Sequence, residues 1–292
     1  MSQRNGSKPK PPRRKPVRKF IRERIYLCLF LIVHAVFAVY MRVRRVVRAL
    51  KDRMFALTYY HHHTPELIRR DVAKLSKIPR HLSVVVSYDP RGNGGVELER
   101  LLNHVGELSA WCASAGIETL SVYERTGILK THIPTTHAHI TSTLHTYFPP
   151  HTTPALSLRC PNHPSFSPPS TPPSPFSQTP NPRLTVILLS AEDGRDTIVD
   201  LTKTLTEMSQ RGKLAPSDIS TDLVDAEITE SVMGEPDLVV CFGERMKLDG
   251  FPPWQIRLSE IFCSPDNSSG VGYQVFLRAL HKFGKAQMRF GT

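Results

Sequence analysis

Residues 25–41 (IYLCLFLIVHAVFAVYM) carry no formal charge and one polar interruption, His34. As a helix these 17 residues rise about 25 Å, the lower limit for crossing the hydrocarbon core of a bilayer. Cations bracket the run, with Arg24 before it and Arg42, Arg44, Arg45, Arg48, Lys51 and Arg53 after it. Arg24 and Arg42 are placed to snorkel to the headgroups, and Tyr26 and Tyr40 to sit at the interfaces. A cleaved signal peptide fits less well, because the apolar run starts late and no small-residue cleavage site follows. The run is therefore expected to anchor the chain in a membrane as one transmembrane helix. Both flanks are strongly positive, which leaves its orientation open.

The charge distribution sharpens this division. The chain of 292 residues has a formal net charge of +12, a footprint often left by nucleic-acid binding. Residues 1–53, however, hold 16 Lys and Arg against Glu23 and Asp52, a net of +14. The remaining 239 residues hold 22 basic and 24 acidic side chains, a net of −2. The part able to fold into a domain has no cationic excess, so nucleic acid is not an expected partner. Residues 1–24 are basic and proline-dotted, and are expected to be a disordered tail. Residues 42–74 are expected to be a basic juxtamembrane linker, its arginines attracted to anionic lipid.

Beyond the anchor, four β-rich runs stand out at residues 82–88, 117–123, 184–190 and 237–242. Several are continuously apolar, as strands buried on both faces of a parallel sheet are. Leu98, Leu101, Leu102, Val105, Leu108 and Trp111 keep helical spacing between the first two runs, with Gly116 as a stop. Ile198, Leu201, Leu205 and Met208 repeat the pattern after the third run. Ser220 is placed to cap a further helix through Val232, and residues 275–283 read as a final one. Alternation of strands and helices predicts an α/β domain over residues 75–292, with a mostly parallel central sheet flanked by helices. Twelve of the 25 prolines fall within residues 149–182, predicting a disordered or polyproline-like insertion there.

Several local patterns carry little chemistry. The RGNGG loop at residues 91–95 lies between a strand and a helix but lacks the spacing of a nucleotide-binding loop. His61, His62 and His63 are consecutive and cannot converge on one ion. Cys28, Cys112, Cys160, Cys241 and Cys263 are dispersed and read as reduced thiols. Asn267 begins a formal glycosylation sequon, which matters only if this domain faces a lumen.

The strongest signal is EPDLVVCFGE at residues 235–244, followed by GFPPWQIRLSEIF at 250–262 and the terminal RFG at 289–291. IPRHL at 78–82, WCASAGI at 111–117, SVY at 121–123 and LSAEDG at 189–194 add to it. Together these stretches resemble the cis-prenyltransferase (undecaprenyl diphosphate synthase-like) family. Within it they are most similar to the accessory, Nogo-B receptor type subunits of dehydrodolichyl diphosphate synthase. The resemblance spans roughly residues 75–148 and 183–292, with the proline-rich insertion outside it.

Departures from the catalytic members are equally informative. Counted from His81, the family's metal-binding Asp of an Asp-Gly-Asn-Arg-Arg motif falls on Ser87, with no arginine pair after it; a shifted alignment would place it on Asp89, before Pro90 and Arg91, without rebuilding the motif. VYERT at 122–126 replaces the Phe-Ser-x-Glu-Asn segment, and Val240 to Glu244 lack the phosphate-binding arginine. Each electrostatic group lost from such a site removes on the order of 10²–10³ in rate. The resemblance thus implies a chain inactive alone, required by a catalytic cis-prenyltransferase subunit that holds Mg²⁺. The complex would condense isopentenyl diphosphate onto farnesyl diphosphate to make long-chain polyprenyl diphosphate for dolichol synthesis and protein glycosylation, at the endoplasmic reticulum membrane with the domain on the cytosolic face. Arg289 and Gly291, at the end of the chain, are implied to complete the partner's isopentenyl diphosphate site. Trp254, Arg257 and Glu260 are implied to lie where the subunits pair. The competing expectation is a membrane-anchored receptor or scaffold that uses the fold only to bind protein or lipid.

Overall fold

The computed structural model describes residues 16–59, 64–89, 92, 94–161, 163, 166, 183–243, 246–264 and 271–286. The chain divides into two compact units, Met1–Ala56 and Leu57–Thr292. The first is dominated by helix α1, Pro16–Tyr59. Its stretch Lys19–Val47 is long and apolar enough to cross a membrane, and none of it is buried by the protein. Side chains such as Leu29, Phe30, Val33 and Phe37 are more than half exposed, as expected of a helix whose apolar surroundings are not protein. The helix continues through residues 42–59, the first part of the expected linker.

The second unit begins earlier than the sequence patterns indicate. Helix α2, Pro65–Val72, buries Pro65, Ile68 and Val72, so residues 65–72 belong to the folded domain rather than to a linker. Five further helices follow among the described residues before the last: α3 (Gly94–Ala115), α4 (Ile128–Thr131), α5 (Ile133–Tyr147), α6 (Arg195–Gln210) and α7 (Thr221–Ser231). Helix α8 (Tyr273–Lys285) closes the described chain. The strands are β1 (His81–Val86), β2 (Thr119–Glu124), β3 (Ala155–Arg159), β4 (Arg183–Leu189), β5 (Leu238–Cys241) and β6 (Glu260–Cys263). All pair in parallel, in the order β3-β4-β2-β1-β5-β6. The four runs identified as strands all form, and Gly116 ends α3 with a positive φ of 81°, a conformation glycine adopts without penalty. Ser220 caps α7, its hydroxyl accepting from Leu223 N at 3.1 Å.

Strand β3 corrects part of the proline-rich expectation. Leu156 and Leu158 lie between Pro154 and Pro161, leaving five residues with free amides to pair along the sheet edge. Proline excludes central strands but not an edge strand that it merely borders. The rest of that stretch, apart from residues 149–161, 163 and 166, lies outside the described residues.

Side chains alternate across the sheet into two cores. Leu82, Val84, Leu120, Val122, Val186 and Leu238 join one face with α2, α3, α5 and α8. Val85, Tyr123, Ile187, Val239 and Cys241 face the other, against Ile228, Val232, Met233 and Phe251. The first face is covered deeply. On the second, α6 has no buried residue at all, and its Val199 and Met208 stand 42% and 39% exposed.

The amino ends of the central strands are stapled by polar groups. Asp237 accepts from the backbone amides of Arg80 and His81 at 2.8 and 3.1 Å, joining β1 to β5. The His81 ring lies 2.6 Å from Ser121 Oγ on β2. Burial lowers the His81 pKa from 6.5 to about 4, outweighing the attraction of Asp237. A histidine held neutral in the fold stabilises it fully above its unfolded pKa, and that contribution fades as pH falls from 6.5 towards 4. The full effect is on the order of 3 kcal/mol. Thermal melts of the detergent-solubilised chain should lose stability across that interval, and His81→Gln should flatten the slope.

Candidate functional site

In an open parallel sheet, ligands bind beyond the carboxyl ends of strands, where neighbouring connections leave in opposite directions. Here that point lies between β1, whose chain crosses to β2, and β5, whose chain crosses to β6. Phe242 N donates to Val85 O at 3.0 Å, so the two strands run together to their ends. Ser87, on which the family's metal-binding Asp is expected to fall, is exposed just after β1, with Tyr88 half-buried and Asp89 exposed.

The loop then enters α3 beside an acidic side chain. Glu97 Cγ would lie 3.2 Å from a Cβ added at Gly92, and the Glu97 carboxylate pairs with Arg100 at 3.5 Å. A helix amino terminus is suited to anions, yet here a carboxylate of the chain's own lies in the first turn. Two carboxylates at neighbouring strand ends are turned inward. Glu124, 1% exposed at the end of β2, accepts from Thr126 N, Thr126 Oγ1 and Ile128 N at 2.9, 2.7 and 3.2 Å. It thereby holds the turn into α4. Asp193, after β4, accepts from Ser190 N at 2.7 Å and pairs with Lys130 Nζ at 2.5 Å. The Lys130 and Asp193 side chains are 9% and 1% exposed.

A second set of contacts fixes the loop after β5. Tyr123 donates to Asp249 O at 2.7 Å and packs edge-on against Phe251. Burial, reinforced by Asp249, pushes the Tyr123 phenol up to about 12, so it remains a donor at physiological pH. Arg125 pairs with Asp249 at 3.2 Å on the surface. Asp249 and Gly250 adopt positive φ values of 49° and 94°, turning the chain so that Gly250 O lies 2.5 Å from where a Cβ on Gly194 would be. Glycine at 194 is what permits this approach.

The expected interface residues share the segment that this loop leads into. Trp254 is half-buried, its indole donating to Asp225 Oδ1 of α7 at 2.8 Å. Arg257 is exposed at the end of the same turn. Glu260 opens edge strand β6 and pairs with Lys282 at 2.9 Å. Arg289 and Gly291 lie outside the described residues, as do Glu244, His61 to His63 and Asn267. Sequence reasoning missed Lys130, Asp193 and the turn-holding role of Glu124. Lys130 and Asp193 are 63 residues apart, and no local pattern joins them.

The donor set suits a rigid scaffold better than a metal-diphosphate site. Mg²⁺ takes oxygen ligands, carboxylates foremost. The end of β1 offers the Ser87 hydroxyl and, two residues on, Asp89, while Glu124 and Asp193 are already engaged. These residues do not fit the ion. Removing one member of a buried ion pair strands the other charge, at about 3–5 kcal/mol. Lys130→Met should therefore lower the unfolding midpoint sharply. Adding Asp193→Asn, which keeps an acceptor towards Ser190, should recover most of the loss in the same denaturation assay.

Comparison with known proteins identifies the lineage. The putative undecaprenyl diphosphate synthase family matches residues 176–291. The dehydrodolichyl diphosphate synthase complex subunit NUS1 of Saccharomyces cerevisiae is 34% identical over 276 residues, covering 91% of this chain and 73% of the relative. Its counterpart in Schizosaccharomyces pombe is 37% identical over 235 residues, 80% of this chain and 84% of the relative. The Homo sapiens subunit is 29% identical over 224 residues, 76% of this chain and 70% of the relative. The parallel sheet, its flanking helices and these identities agree, and the chain belongs to the cis-prenyltransferase-like family of NUS1 subunits of dehydrodolichyl diphosphate synthase complexes.

Proposed function

We propose that this chain is the non-catalytic subunit of a membrane-bound heteromeric cis-prenyltransferase. In this reading the complex extends farnesyl diphosphate with isopentenyl diphosphate to make dehydrodolichyl diphosphate at the endoplasmic reticulum, its domain facing the cytosol. The observation that carries it is the inward engagement of the strand-end charges. Glu124 is committed to a turn, and Lys130 and Asp193 to each other. A prenyl transfer needs groups aimed outward to hold Mg²⁺ and neutralise the departing diphosphate. The catalytic partner supplies them, and Mg²⁺ is held by its carboxylates.

The thinly covered second face and the edge strand β6 support association with that partner. Ile198, Leu201, Trp254, Ile256 and Ile261 are only partly buried there, and Leu258 is 47% exposed. Aromatic and arginine side chains commonly anchor interfaces, which favours Arg257 for direct contact and Trp254 for shaping the loop. Glu260, paired with Lys282, acts as a structural group at the interface. Arg289 supplies a bidentate, permanently charged donor to the isopentenyl diphosphate in the partner's site. The Gly291 backbone closes on the same diphosphate. Helix α1 spans the membrane and keeps the growing apolar product beside the bilayer.

The purified chain with Mg²⁺ and both substrates should form no polyprenyl diphosphate, and should raise turnover when the catalytic partner is added. Arg289→Ala should lower the turnover of the complex by roughly 10²-fold or more, without preventing co-purification. Unchanged turnover and isopentenyl diphosphate affinity in that variant would refute the proposed role of the tail.

A further inference from the structure

Helix α1 is longer than a membrane is thick. Its 44 residues, Pro16–Tyr59, extend about 66 Å at 1.5 Å per residue, against roughly 30 Å for the hydrocarbon core. The uncharged run ends at residue 41, yet the helix continues for 18 residues more, a further 27 Å or so. Among the described side chains of that continuation, the apolar ones keep to one side. Val43, Val46, Val47, Leu50 and Met54 recur at intervals of three, one, three and four. At 100° per residue they fall within a wedge of about 100°. They are 56%, 58%, 44%, 57% and 70% exposed.

The charges complete the pattern. Arg42 and Arg44 fall on either border of the wedge, and Arg45 falls on the far side. Over residues 42–53 the sequence carries six Lys and Arg against the single Asp52. A helix with an apolar wedge bordered by cations matches the boundary between acyl chains and phosphates, where the wedge leaves water and the arginines snorkel to headgroups. A straight helix rising into water would leave the wedge hydrated and carry the cations from Arg48 on about a Debye length or more from Arg42, out of the short reach of the surface potential.

We propose that the part of α1 that follows the span is a second, distinct membrane contact, lying along the headgroup layer of an anionic leaflet. Val43, Val46, Val47, Leu50 and Met54 face the acyl chains, and Arg42 and Arg44 face lipid phosphates. This inference rests on the membrane-spanning reading of residues 25–41. The helix axis turns at the headgroup layer near Arg42, where water and phosphates satisfy the few backbone groups opened by the bend. The occupant is lipid rather than a partner helix because the wedge continues the bilayer-facing surface of the span, and because the cations on its borders complement an anionic leaflet.

The test uses the full chain reconstituted into vesicles of phosphatidylcholine, with or without phosphatidylserine. A solvatochromic amino acid is placed at one position at a time: Val36 in the span, Val43, Val47 or Leu50 on the wedge, and Arg45 opposite. Quenching by aqueous iodide and by lipid-attached nitroxide is then compared. The expected result is strong iodide protection at Val36 and several-fold better protection on the wedge than at Arg45. That contrast should increase with phosphatidylserine and shrink in high salt. If Val36 is protected while wedge and Arg45 positions are quenched alike, the surface contact is refuted and the anchor stands. If Val36 is also open to iodide, the anchor reading itself falls. Protection of the wedge only after addition of the catalytic subunit would assign it to a protein partner and overturn the proposal.

Discussion

A parallel sheet must be covered on both faces, because its strands are apolar on both, and this chain covers them unequally. Helices α2, α3, α5 and α8 enclose one face, burying residues from Ile68 to Phe283. The other face relies on a few residues of α7 and on the loop after β5, with α6 resting against it and burying nothing completely. Most of what is particular to the second face follows from that shortage. Phe251 and Trp254 are brought in from the loop to do what a helix does on the first face. The contacts that hold this loop are correspondingly strict: Gly194 against Gly250 O, Tyr123 to Asp249, and Trp254 to Asp225.

The same arrangement explains why charge at the strand ends serves architecture. A buried carboxylate is tolerated only when hydrogen-bonded or paired. Glu124 meets that condition through three donors, and Asp193 through Ser190 and Lys130. Each carboxylate that fixes a turn is unavailable to a ligand. Rigidity at the sheet's carboxyl edge draws on Glu124, Lys130 and Asp193, each engaged within the chain. A subunit so built can still present a defined surface to a partner, since the turn carrying Arg257 is held by Trp254 on Asp225 and Ser259 on Pro236 O, and Glu260 N donates to Asp237 O.

How much of this was legible in the sequence depends on the range of the interaction. Several of the four strands seen in advance are continuous apolar runs, and the Ser220 cap and Gly116 stop are local signals. Helix α5 escaped notice because its buried stripe reads Thr136, Ile140, Leu144 and Tyr147, and a threonine in place of an aliphatic residue breaks the hydrophobic period. Helix α2 was hidden by Arg69 and Arg70, which extend the basic character of the preceding segment into a helix that buries Ile68. Strand β3 was masked by the prolines around it. At the site, the expectation at Ser87 came from resemblance, and the structure adds only that this residue is exposed just after β1. The pairing of Lys130 with Asp193 and the fit of Gly194 against Gly250 were not, because each joins segments that only the folded sheet brings together.

The two units also divide the electrostatics in a way that bears on assembly. The basic residues of the first 53 positions lie around the stretch Lys19–Val47, of which none is buried, whereas the domain has a net charge near zero and an acidic second face. Residues 191–230, which form α6, α7 and their connections, carry ten Asp and Glu against four Lys and Arg. Like charge on a surface opposes approach to an anionic leaflet within a Debye length of about 8 Å at physiological salt. The basic segment and the acidic face therefore act in opposite senses at a membrane, one drawn to the headgroups and the other repelled.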